Sequence, residues 1–447
     1  MIVSKALPTW FLVLDDDPTG TQGVAEVPVV IQPSGHAFRW AAERGGCVYA
    51  LTNTRAMAPK LARDTVTAFV EAAKGVASES GRNLVIVNRG DSTLRGHFPL
   101  EVEQLQAMAE PPDRYRGCLL VPAFPEAGRV TIEGVHFVRK KGRMVPVAET
   151  EFATDATFGY SKSRLTDWAR ARVPGAWRVV HLASETIDRG EDAVVDFLDS
   201  QVRFTVVCPS VRDDADLAVL AAAQRRILRS SVHYLVQAGP AYPRHLAGVT
   251  ANGTVALRVA SPGVVVAGSH TELTTSQLTH AQDRFDLSTI QINVALLLSE
   301  SAADEVARCV EQARSALQHR SIIVATTRLR QTGSSEALSL HIANQVARAV
   351  AEITRQIVLM RPGFIISKGG ITSRDVAAVS LGWDAAMVEG PLVDHTLPVW
   401  STAGAEGEGS PTRLIIFPGN VGEEDLLSRA LDHLFVRRRD HQLGASV

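Results

Sequence analysis

The sequence predicts an α/β protein with two domains, each built on a mainly parallel sheet flanked by helices. Short apolar runs rich in β-branched residues alternate along the chain with amphipathic stretches. Runs that are apolar on both faces are typical of parallel strands, because helices cover both sides of a parallel sheet. At 447 residues the chain also exceeds what one hydrophobic core usually holds, and two domains are therefore expected.

The predicted strands are ten short apolar runs. They are Phe11–Leu14, Val48–Leu51, Leu84–Val87, Leu119–Val121, Val179–Leu182, Phe204–Cys208, Val264–Ala267, Ile322–Ala325, Phe364–Ser367 and Leu414–Phe417. Three stretches with apolar residues at steps of three or four are predicted as helices, namely Leu61–Ala77, Asp214–Ser230 and Ala337–Leu359. Turn-forming residues cluster between 240 and 262, so the expected domains are residues 1–245 and 260–447.

The charge balance indicates a small-molecule ligand. Lys and Arg number 46 against 48 Asp and Glu, which leaves a formal net charge of −2. Proteins that bind nucleic acid or a membrane surface normally carry a basic excess or patch, so neither partner is expected. No apolar run approaches the roughly 18 residues that a membrane span requires. The four cysteines are too far apart in sequence for metal-binding spacing, and we expect a cytoplasmic protein with reduced thiols.

Three adjacent carboxylates follow the first predicted strand. Asp15, Asp16 and Asp17 come directly after Phe11–Leu14 and precede Pro18-Thr19-Gly20. Ligands of open α/β sheets collect at the carboxyl ends of strands, and adjacent acids repel one another unless a cation or a hydroxyl donor meets them. Asp16 or Asp17 is therefore expected to orient a hydroxyl group or to accept its proton. The same residues would also suit an ordinary polar turn.

A second polar segment follows the predicted strand Leu84–Val87. It combines an acid, two hydroxyl groups and an arginine in the order Asp91-Ser92-Thr93-Leu94-Arg95-Gly96. The planar guanidinium group of arginine can bind a carboxylate through two parallel hydrogen bonds. Arg55, which follows Val48–Leu51, is a second candidate for such a clamp, although a surface ion pair is an equally good interpretation of this residue alone.

Three predicted strands of the C-terminal half run into glycine or small hydroxyl residues. These turns are Gly268-Ser269, Gly369-Gly370-Ile371-Thr372 and Gly419-Asn420-Val421-Gly422. Glycine lets the backbone approach a phosphate, and the free N–H groups of a following helix attract the anion. Any one turn would be unremarkable, but the three together indicate a nucleotide site. Neither GxxxxGKS nor GxxxxGKT occurs, which excludes the standard phosphate-binding loop.

These motifs resemble those of the four-carbon acid sugar kinases, the family that contains D-threonate, D-erythronate and 3-oxo-tetronate kinases. The similar segments are Asp16–Gly20, Asp91–Gly96, Val121–Arg129, Glu149–Asp155 and the three glycine turns. They follow the family's order over residues 10–435. The resemblance implies an N-terminal sugar-acid-binding domain, a C-terminal nucleotide-binding domain and an active site in the cleft between them.

The same resemblance implies roles for individual residues. The sugar acid would be bound by Asp16, Arg55, Asp91, Ser92, Thr93, Leu94 and Arg95. ATP, with Mg²⁺ as a second cofactor, would be contacted by Ser269, Gly369, Gly370, Ile371, Thr372 and Gly419, while the metal ligands stay unassigned. We expect Asp16 or Asp17 to orient the accepting hydroxyl while Arg55 or Arg95 holds the carboxylate. The chain departs from the family pattern at Ile371, where an acid is usual, and in the segment 390–398.

Two other functions stay open on the sequence alone. Asp15-Asp16-Asp17-Pro18-Thr19 after an apolar strand also fits the DxDxT motif of haloacid-dehalogenase-type phosphatases, with Asp15 as nucleophile and Asp17 as general acid/base. The later lysine motif of that class is missing. A non-catalytic sensor that binds a sugar acid or a nucleotide is the second alternative, and a homo-oligomer is compatible with the sequence.

Overall fold

In the computed structural model the chain divides into two compact units. The structure describes residues 8–140, 142–229, 233–268, 271–328, 331, 336–394, 396–402, 412–419 and 421–435. The first unit comprises the chain up to Thr250 together with Asp384–Val388. The second unit comprises Ala251–Trp383 and the chain from Glu389 onward.

The first unit is built on a mainly parallel sheet. The strands of this unit are β1 Thr9–Asp15, β2 Val27–Val30, β3 Cys47–Leu51, β4 Asn83–Arg89, β5 Tyr115–Val121, β6 Arg129–Ile132, β7 Val135–Lys140, β8 Arg143–Pro146, β9 Arg178–Leu182, β10 Thr205–Pro209 and β11 His233–Ala238. Eight of them form the sheet in the order β9-β10-β5-β11-β4-β1-β3-β2, with all neighbours parallel. β1 lies between β3 and β4, so the strands that follow it in the chain are placed first on one side of β1 and then on the other. Ligands of open α/β sheets commonly bind at the carboxyl ends of the strands where the strand order reverses in this way.

Helices cover this sheet because its strands are apolar on both faces. The helices are α1 Gly35–Ala42, α2 Pro59–Glu79, α3 Leu100–Ala107, α4 Leu165–Arg170, α5 Ser184–Asp188, α6 Glu191–Asp199, α7 Asp214–Ile227 and α8 Ala241–Ala247. Leu12 and Leu14 of β1 pack with Val66 and Phe69 of α2 in one buried cluster. In α2 the buried residues recur at steps of three or four, so one stripe of the helix faces the sheet.

A small antiparallel sheet accompanies the main one. It consists of β6, β7 and β8 in that order. Gly134 has a φ of 74° in the tight turn between β6 and β7, a conformation that glycine adopts without steric cost. This sheet carries His136, which contacts the segment after β4, as described below.

The second unit is also built on a mainly parallel sheet. Its strands are β12 Val264–Ala267, β13 Ser288–Ile292, β14 Ile322–Thr326, β15 Ile365–Lys368, β16 Ala385–Pro391, β17 Pro398–Ser401 and β18 Arg413–Phe417. The order is β13-β14-β12-β15-β18-β17; among the described pairs of this order β17 and β18 are antiparallel and the others are parallel. The first residues of β16, Ala385–Val388, pair with β2 and therefore belong to the first unit.

In the described residues of the second unit, six helices accompany the strands. They are α9 Glu272–Arg284, α10 Val294–Leu297, α11 Ala302–Ala316, α12 Glu336–Val358, α13 Gly370–Asp375 and α14 Leu426–Leu434. A π-helical turn, Val376–Ser380, continues α13. None of the helices in the described parts of the chain has both the length and the apolar character needed to cross a membrane.

The predicted fold class is confirmed, since each unit has a mainly parallel sheet with helices. Each of the ten predicted strands is present, with ends that differ by a few residues. Phe204 is one difference, because its φ of 59° places it outside β10. The strands β2, β6–β8, β11, β13, β16 and β17 were not predicted from the sequence. Several of these strands contain charged or amide side chains, such as Gln237 in β11 and Gln291 in β13, which interrupt an apolar run.

Candidate active site

Three acidic side chains lie at the carboxyl end of β1. Asp15 pairs with Leu51 of β3 and with Arg89 of β4, so the ends of the three strands are level. Asp15 and Asp16 are 1% and 4% exposed, whereas the Asp17 side chain is 21% exposed. Asp17 is therefore the acid of this motif that a ligand reaches most easily.

The Asp15 carboxylate is enclosed by its neighbours. Its Oδ1 accepts hydrogen bonds from Arg89 Nη1 at 3.0 Å and from the Asp17 N–H at 3.3 Å. A Cβ atom on Gly20 would lie 2.2 Å from the Asp15 carboxylate oxygens, so only glycine permits this approach. A phosphatase nucleophile must be reached by its phosphoester, and this enclosure makes Asp15 unsuited to that role.

Arg55 joins the acids of β1 to Asp91. Its Nε and Nη2 atoms donate to the two carboxylate oxygens of Asp16 at 3.0 and 2.5 Å. Its Nη1 atom donates to Asp17 Oδ2 at 3.2 Å and lies 3.9 Å from Asp91 Oδ1. These contacts engage the bidentate face of the Arg55 guanidinium group with Asp16, so Arg55 is held among the acids.

The turn that carries Arg55 is supported by buried polar side chains. The Thr54 hydroxyl donates to Glu101 Oε1 at 2.5 Å, and Asn88 Nδ2 donates to Glu101 Oε2 at 2.8 Å. His97 Nε2 lies 3.0 Å from the Thr54 carbonyl oxygen. Because all of these groups are buried, their hydrogen bonds hold the turn in one arrangement.

Arg89 is a central residue of the site that the sequence analysis missed. It ends β4, and its side chain is 4% exposed. Its Nη1 atom donates to Asp15 Oδ1 and to Asp16 Oδ1, in each case at 3.0 Å. A basic residue at the end of an apolar strand, directly before a predicted motif, was the available signal. The cation explains how two adjacent carboxylates can be buried together.

The segment after β4 brings Asp91 and Arg95 to the same site. Arg95 Nε donates to Asp91 Oδ2 at 2.7 Å, and Arg95 Nη1 lies 3.8 Å from Asp155 Oδ2. The guanidinium carbon of Arg95 is 5.0 Å from the ring centre of Phe152, within the range of a cation–π contact. The structure thus groups Asp91, Arg95 and the aspartates of β1 through Arg55.

The three residues between Asp91 and Arg95 differ in what their side chains contact. The Thr93 hydroxyl donates to Asp91, and the Ser92 side chain is buried. Leu94 has a φ of 67° and packs in the hydrophobic cluster with the strands and α2. Its side chain therefore anchors the segment, and only its backbone remains for ligand binding.

Two side chains from outside the segment hold its main chain in place. His136 Nε2 lies 2.8 Å from the Ser92 carbonyl oxygen, and His136 Nδ1 lies 2.9 Å from the Thr131 hydroxyl. The Tyr160 hydroxyl donates to the Thr93 carbonyl oxygen at 2.6 Å. Neither residue was predicted from the sequence, since nothing local in β7 or around Tyr160 indicates what these side chains contact.

His136 is expected to make the protein less stable in mild acid. Burial lowers the pKa of His136 to about 4, below the roughly 6.5 of a free histidine. The unfolded chain therefore binds a proton first, and stability is lost as pH falls from about 6.5 toward 4. We expect this histidine to account for a loss of about 2–3 kcal/mol between pH 7.5 and 4.5.

The measurement is chemical unfolding of the wild type and of His136→Gln at both pH values. The variant should be less stable at pH 7.5, but its stability should change less with pH. His36→Gln, at an exposed position, is the matched control and should keep the wild-type slope. Equal slopes for the wild type and His136→Gln would contradict the assignment.

The arginines set the ionisation of the acids. For both Asp17 and Asp91, burial alone would raise the pKa, but Arg55 and a second arginine outweigh it and hold the pKa below the usual range. Burial raises the pKa of Asp15 to about 7 against the opposing effect of Arg89. The reachable acids are therefore ionised at neutral pH, as a group that orients a hydroxyl must be.

In the second unit, the glycine turns lie at the carboxyl ends of neighbouring strands. A Cβ atom on Gly268 would lie 2.6 Å from the Thr372 hydroxyl, so these two turns are in contact. The Gly369 N–H donates to the Phe417 carbonyl oxygen at 2.8 Å, which brings the third turn alongside. Gly369 has a φ of 110° and precedes Gly370, the first residue of α13. The predicted residues Ser269 and Asn420 lie outside the described residues.

A cavity of about 250 Å³ adjoins these glycine turns. It is lined by Gly268, Val294, Gln331, Ile342, Ala343, Val346, Ala347, Val350, Ala351, Ile371, Thr372, Asp375 and Val376. Most of these side chains are apolar, and ligand sites commonly combine such a surface with a few polar groups. Ile371 contributes apolar surface to the wall of this cavity.

The described residues contain no group of three or more His, Cys, Asp or Glu side chains arranged to hold a metal ion. Mg²⁺ does not require such a cage, because it usually binds through substrate phosphates, water and one or two carboxylates. The donors present fit that mode: Asp375 lines the cavity of the second unit, and Asp17 is reachable in the first.

The fold and the two sets of residues are those of a two-domain α/β protein, and two family models match its two parts in turn. Residues 11–243 match the family model described as a sugar-binding N-terminal domain. Residues 264–427 match the model described as a nucleotide-binding C-terminal domain. The chain belongs to the four-carbon acid sugar kinase family, as its motifs predicted.

Individual relatives extend over almost the whole chain. A D-threonate kinase of Salmonella typhimurium is 26% identical over 448 aligned positions, which cover 95% of this chain and 98% of the relative. A crystal structure from Salmonella typhimurium LT2, described as a candidate tRNA synthase, has a TM-score of 0.69 at 19% identity and covers 95% of this chain and 99% of that chain. Protein HI1011 of Haemophilus influenzae has a TM-score of 0.63 at 17% identity, with coverage of 94% and 99%. The two structures are similar in fold.

Proposed function

We propose that this protein is an ATP-dependent kinase that phosphorylates a hydroxyl group of a four-carbon sugar acid of the threonate, erythronate or oxo-tetronate type. The cluster of Asp16, Asp17, Arg55, Asp91 and Arg95 carries the proposal. It offers the carboxylates of Asp17 and Asp91 to hydroxyl groups and the Arg95 guanidinium group to a carboxylate, within the unit that matches a sugar-binding domain.

In this mechanism Asp17 orients the accepting hydroxyl, because it is the most exposed acid of the β1 motif. The hydroxyl oxygen forms a bond to the γ-phosphorus of ATP while the bond to the bridging oxygen breaks, and ADP leaves. The hydroxyl proton passes to Asp17 and then to solvent. Asp16 and Arg89 keep Arg55 and the acids in place, and Arg95 binds the sugar carboxylate.

The nucleotide would be held by the second unit. Gly369, Gly370, Thr372 and Gly419, together with Ser269, would approach the phosphates through main-chain and hydroxyl groups. The apolar cavity that Ile371 lines would take the adenine base. When bound with ATP, Mg²⁺ neutralises charge on the phosphate oxygens. The test of the function is a screen for ADP release with threonate, erythronate and oxo-tetronates.

The screen includes compounds that separate the proposal from its alternatives. Threitol has comparable hydroxyl groups but no carboxylate, and we expect little ADP with it. If threitol serves as well as the acids, the proposed carboxylate recognition is wrong. If ATP binds but no acid releases ADP, the protein is a sensor and not a kinase. Turnover of p-nitrophenyl phosphate with Mg²⁺ would instead support a phosphatase.

Arg95→Ala is expected to raise KM for the sugar acid about ten- to a hundredfold, because a hydrogen-bonded charge pair contributes roughly 1.5–3 kcal/mol. Steady-state kinetics with varied sugar acid measure the effect. Arg39→Ala, which breaks an exposed ion pair with Glu79, is the matched control and should leave KM for the sugar acid unchanged. Arg95→Lys should recover part of the loss by restoring the charge. An unchanged KM in Arg95→Ala would remove Arg95 from the substrate site.

A further inference from the structure

Lys368 is a buried cation beside the glycine turns of the second unit. It is the last residue of β15, directly before Gly369, and it has no exposed surface. It pairs in register with Ala267 of β12 and Phe417 of β18. Lys368 therefore lies at the same sheet edge as the three turns that the proposed function assigns to phosphate.

The contacts of Lys368 leave its charge without a counter-ion in the described part of the chain. Its Nζ atom donates to the Pro418 carbonyl oxygen at 3.1 Å and lies 4.2 Å from the ring centre of Phe417. Among the described residues no carboxylate forms an ion pair with it. A buried ammonium group is unfavourable unless it is paired, and the neighbouring Arg328 adds a second positive charge.

The turn after β18 is held to the rest of the unit through its carbonyl oxygens. Lys368 binds the carbonyl of Pro418, and the hydroxyls of Thr271 and Thr274 donate to the carbonyl of Gly419 at 3.1 and 3.2 Å. Gln277 Nε2 donates to the carbonyls of Val421 and Glu423 at 3.3 and 2.8 Å. Carbonyl oxygens that accept these hydrogen bonds point toward the protein. They therefore do not point toward a bound anion, which their partial negative charge would repel.

We propose that Lys368 is a positioning residue for the nucleotide phosphates: it turns the Pro418 carbonyl inward and supplies positive charge behind the turn that binds the polyphosphate. This inference rests on the proposed function, because it takes the glycine turns as the phosphate site. Lys368 does not need to touch the nucleotide. It acts through the main chain of Pro418 and Gly419 and through its charge.

The charge of Lys368 depends on its burial and on the neighbouring Arg328. Burial, together with Arg328, lowers the pKa of Lys368 to about 7, so this lysine is easily discharged. A polyphosphate at the adjacent turns favours the charged form, and by linkage the charged lysine favours the polyphosphate. The contribution of Lys368 to binding affinity should therefore grow with the negative charge of the ligand. It should vanish for a ligand that has no phosphate.

The test is the affinity of Lys368→Met for ATP, ADP, adenosine and inorganic tripolyphosphate, measured by calorimetry against the wild type. Methionine keeps the apolar stem and removes the ammonium group. We expect binding of ATP and tripolyphosphate to weaken about ten- to a hundredfold, binding of ADP to weaken less, and binding of adenosine to stay unchanged. Equal losses for ATP and adenosine would mean that Lys368 only packs, and unchanged affinity for ATP would also overturn the proposal.

Further variants separate the outcomes. Lys368→Gln gives the same comparison if the methionine variant does not fold, and Lys368→Arg should restore the preference for charged ligands. Thr274→Val removes a hydrogen bond to the Gly419 carbonyl without changing the charge of the protein. It should weaken the binding of ATP and the binding of ADP by the same factor. If the wild type binds ATP but releases no ADP with any four-carbon acid, the proposed function fails while this affinity series still decides the role of Lys368.

Discussion

Asp17→Asn is expected to lower kcat about a hundred- to ten-thousandfold, the range attributed to a well-placed general base. Asparagine has nearly the same shape and can still accept the hydrogen bonds of the Thr19 N–H and hydroxyl, which now reach Asp17 Oδ1 at 2.8 and 2.6 Å. It cannot accept the proton of the sugar hydroxyl. The local fold should therefore survive, with the loss of the hydrogen bond from Arg55 Nη1 to Asp17 Oδ2, while the chemical step is lost.

Steady-state and single-turnover kinetics with a sugar acid identified in the screen would measure this change. KM for ATP should stay close to the wild-type value, because the nucleotide is assigned to the other unit. Asp64→Asn, at an exposed residue paired with Lys60, is the control for an aspartate outside the site. If Asp17→Asn keeps its kcat, the accepting hydroxyl is oriented by another group, and Asp91 is the next residue to test.

Arg89→Met is expected to destabilise the first unit by about 3–5 kcal/mol, the usual cost of removing one partner from a buried ion pair. The side chains of Arg89, Asp15 and Asp16 are 4%, 2% and 4% exposed. Without the arginine, Asp15 is left with its charge uncompensated in a water-poor environment. The apolar stem is retained, so the loss reflects charge and hydrogen bonding more than packing.

The pH dependence of this loss provides a second test. Protonation of Asp15 removes the uncompensated charge, so the difference between wild type and Arg89→Met should be smaller at pH 5 than at pH 8. Adding Asp15→Asn to Arg89→Met should restore part of the stability, whereas Arg39→Met, in a fully exposed pair, should change the stability little, because solvent screens exposed ion pairs. A loss for Arg89→Met no larger than that of the control would show that the buried network does not stabilise the fold.

The sequence predicted the fold class well because parallel strands covered on both faces have a local signature. Runs such as Val264–Ala267 are apolar throughout and need no knowledge of their neighbours to be recognised. β11 shows the limit of this signal, since His233 and Gln237 interrupt its pattern although both are buried in the structure. The return of Asp384–Val388 to the first unit has no local signal at all, because it depends on pairing with β2.

The motifs of the site were also recognisable in the sequence, but the contacts and the exposure of their individual residues were not. Asp16 and Asp17 were equivalent candidates on the sequence, and so were Arg55 and Arg95. The structure distinguishes them: Arg55 forms a bidentate pair with Asp16, and the Asp17 side chain is more exposed than Asp16. Leu94 appeared to belong to a binding segment, yet its side chain is part of the core.

By itself, the sequence determined which chemical groups end each strand, because strand periodicity and turn-forming residues act over a few neighbouring positions. Only the tertiary structure decided which of these groups are paired, enclosed or reachable. Arg55 meets Asp16 across 39 positions, His136 meets Ser92 across 44, and Arg89 meets Asp15 across 74. Ionisation and access depend on such distant contacts, since burial and neighbouring charge are properties of the packed molecule and not of the local chain.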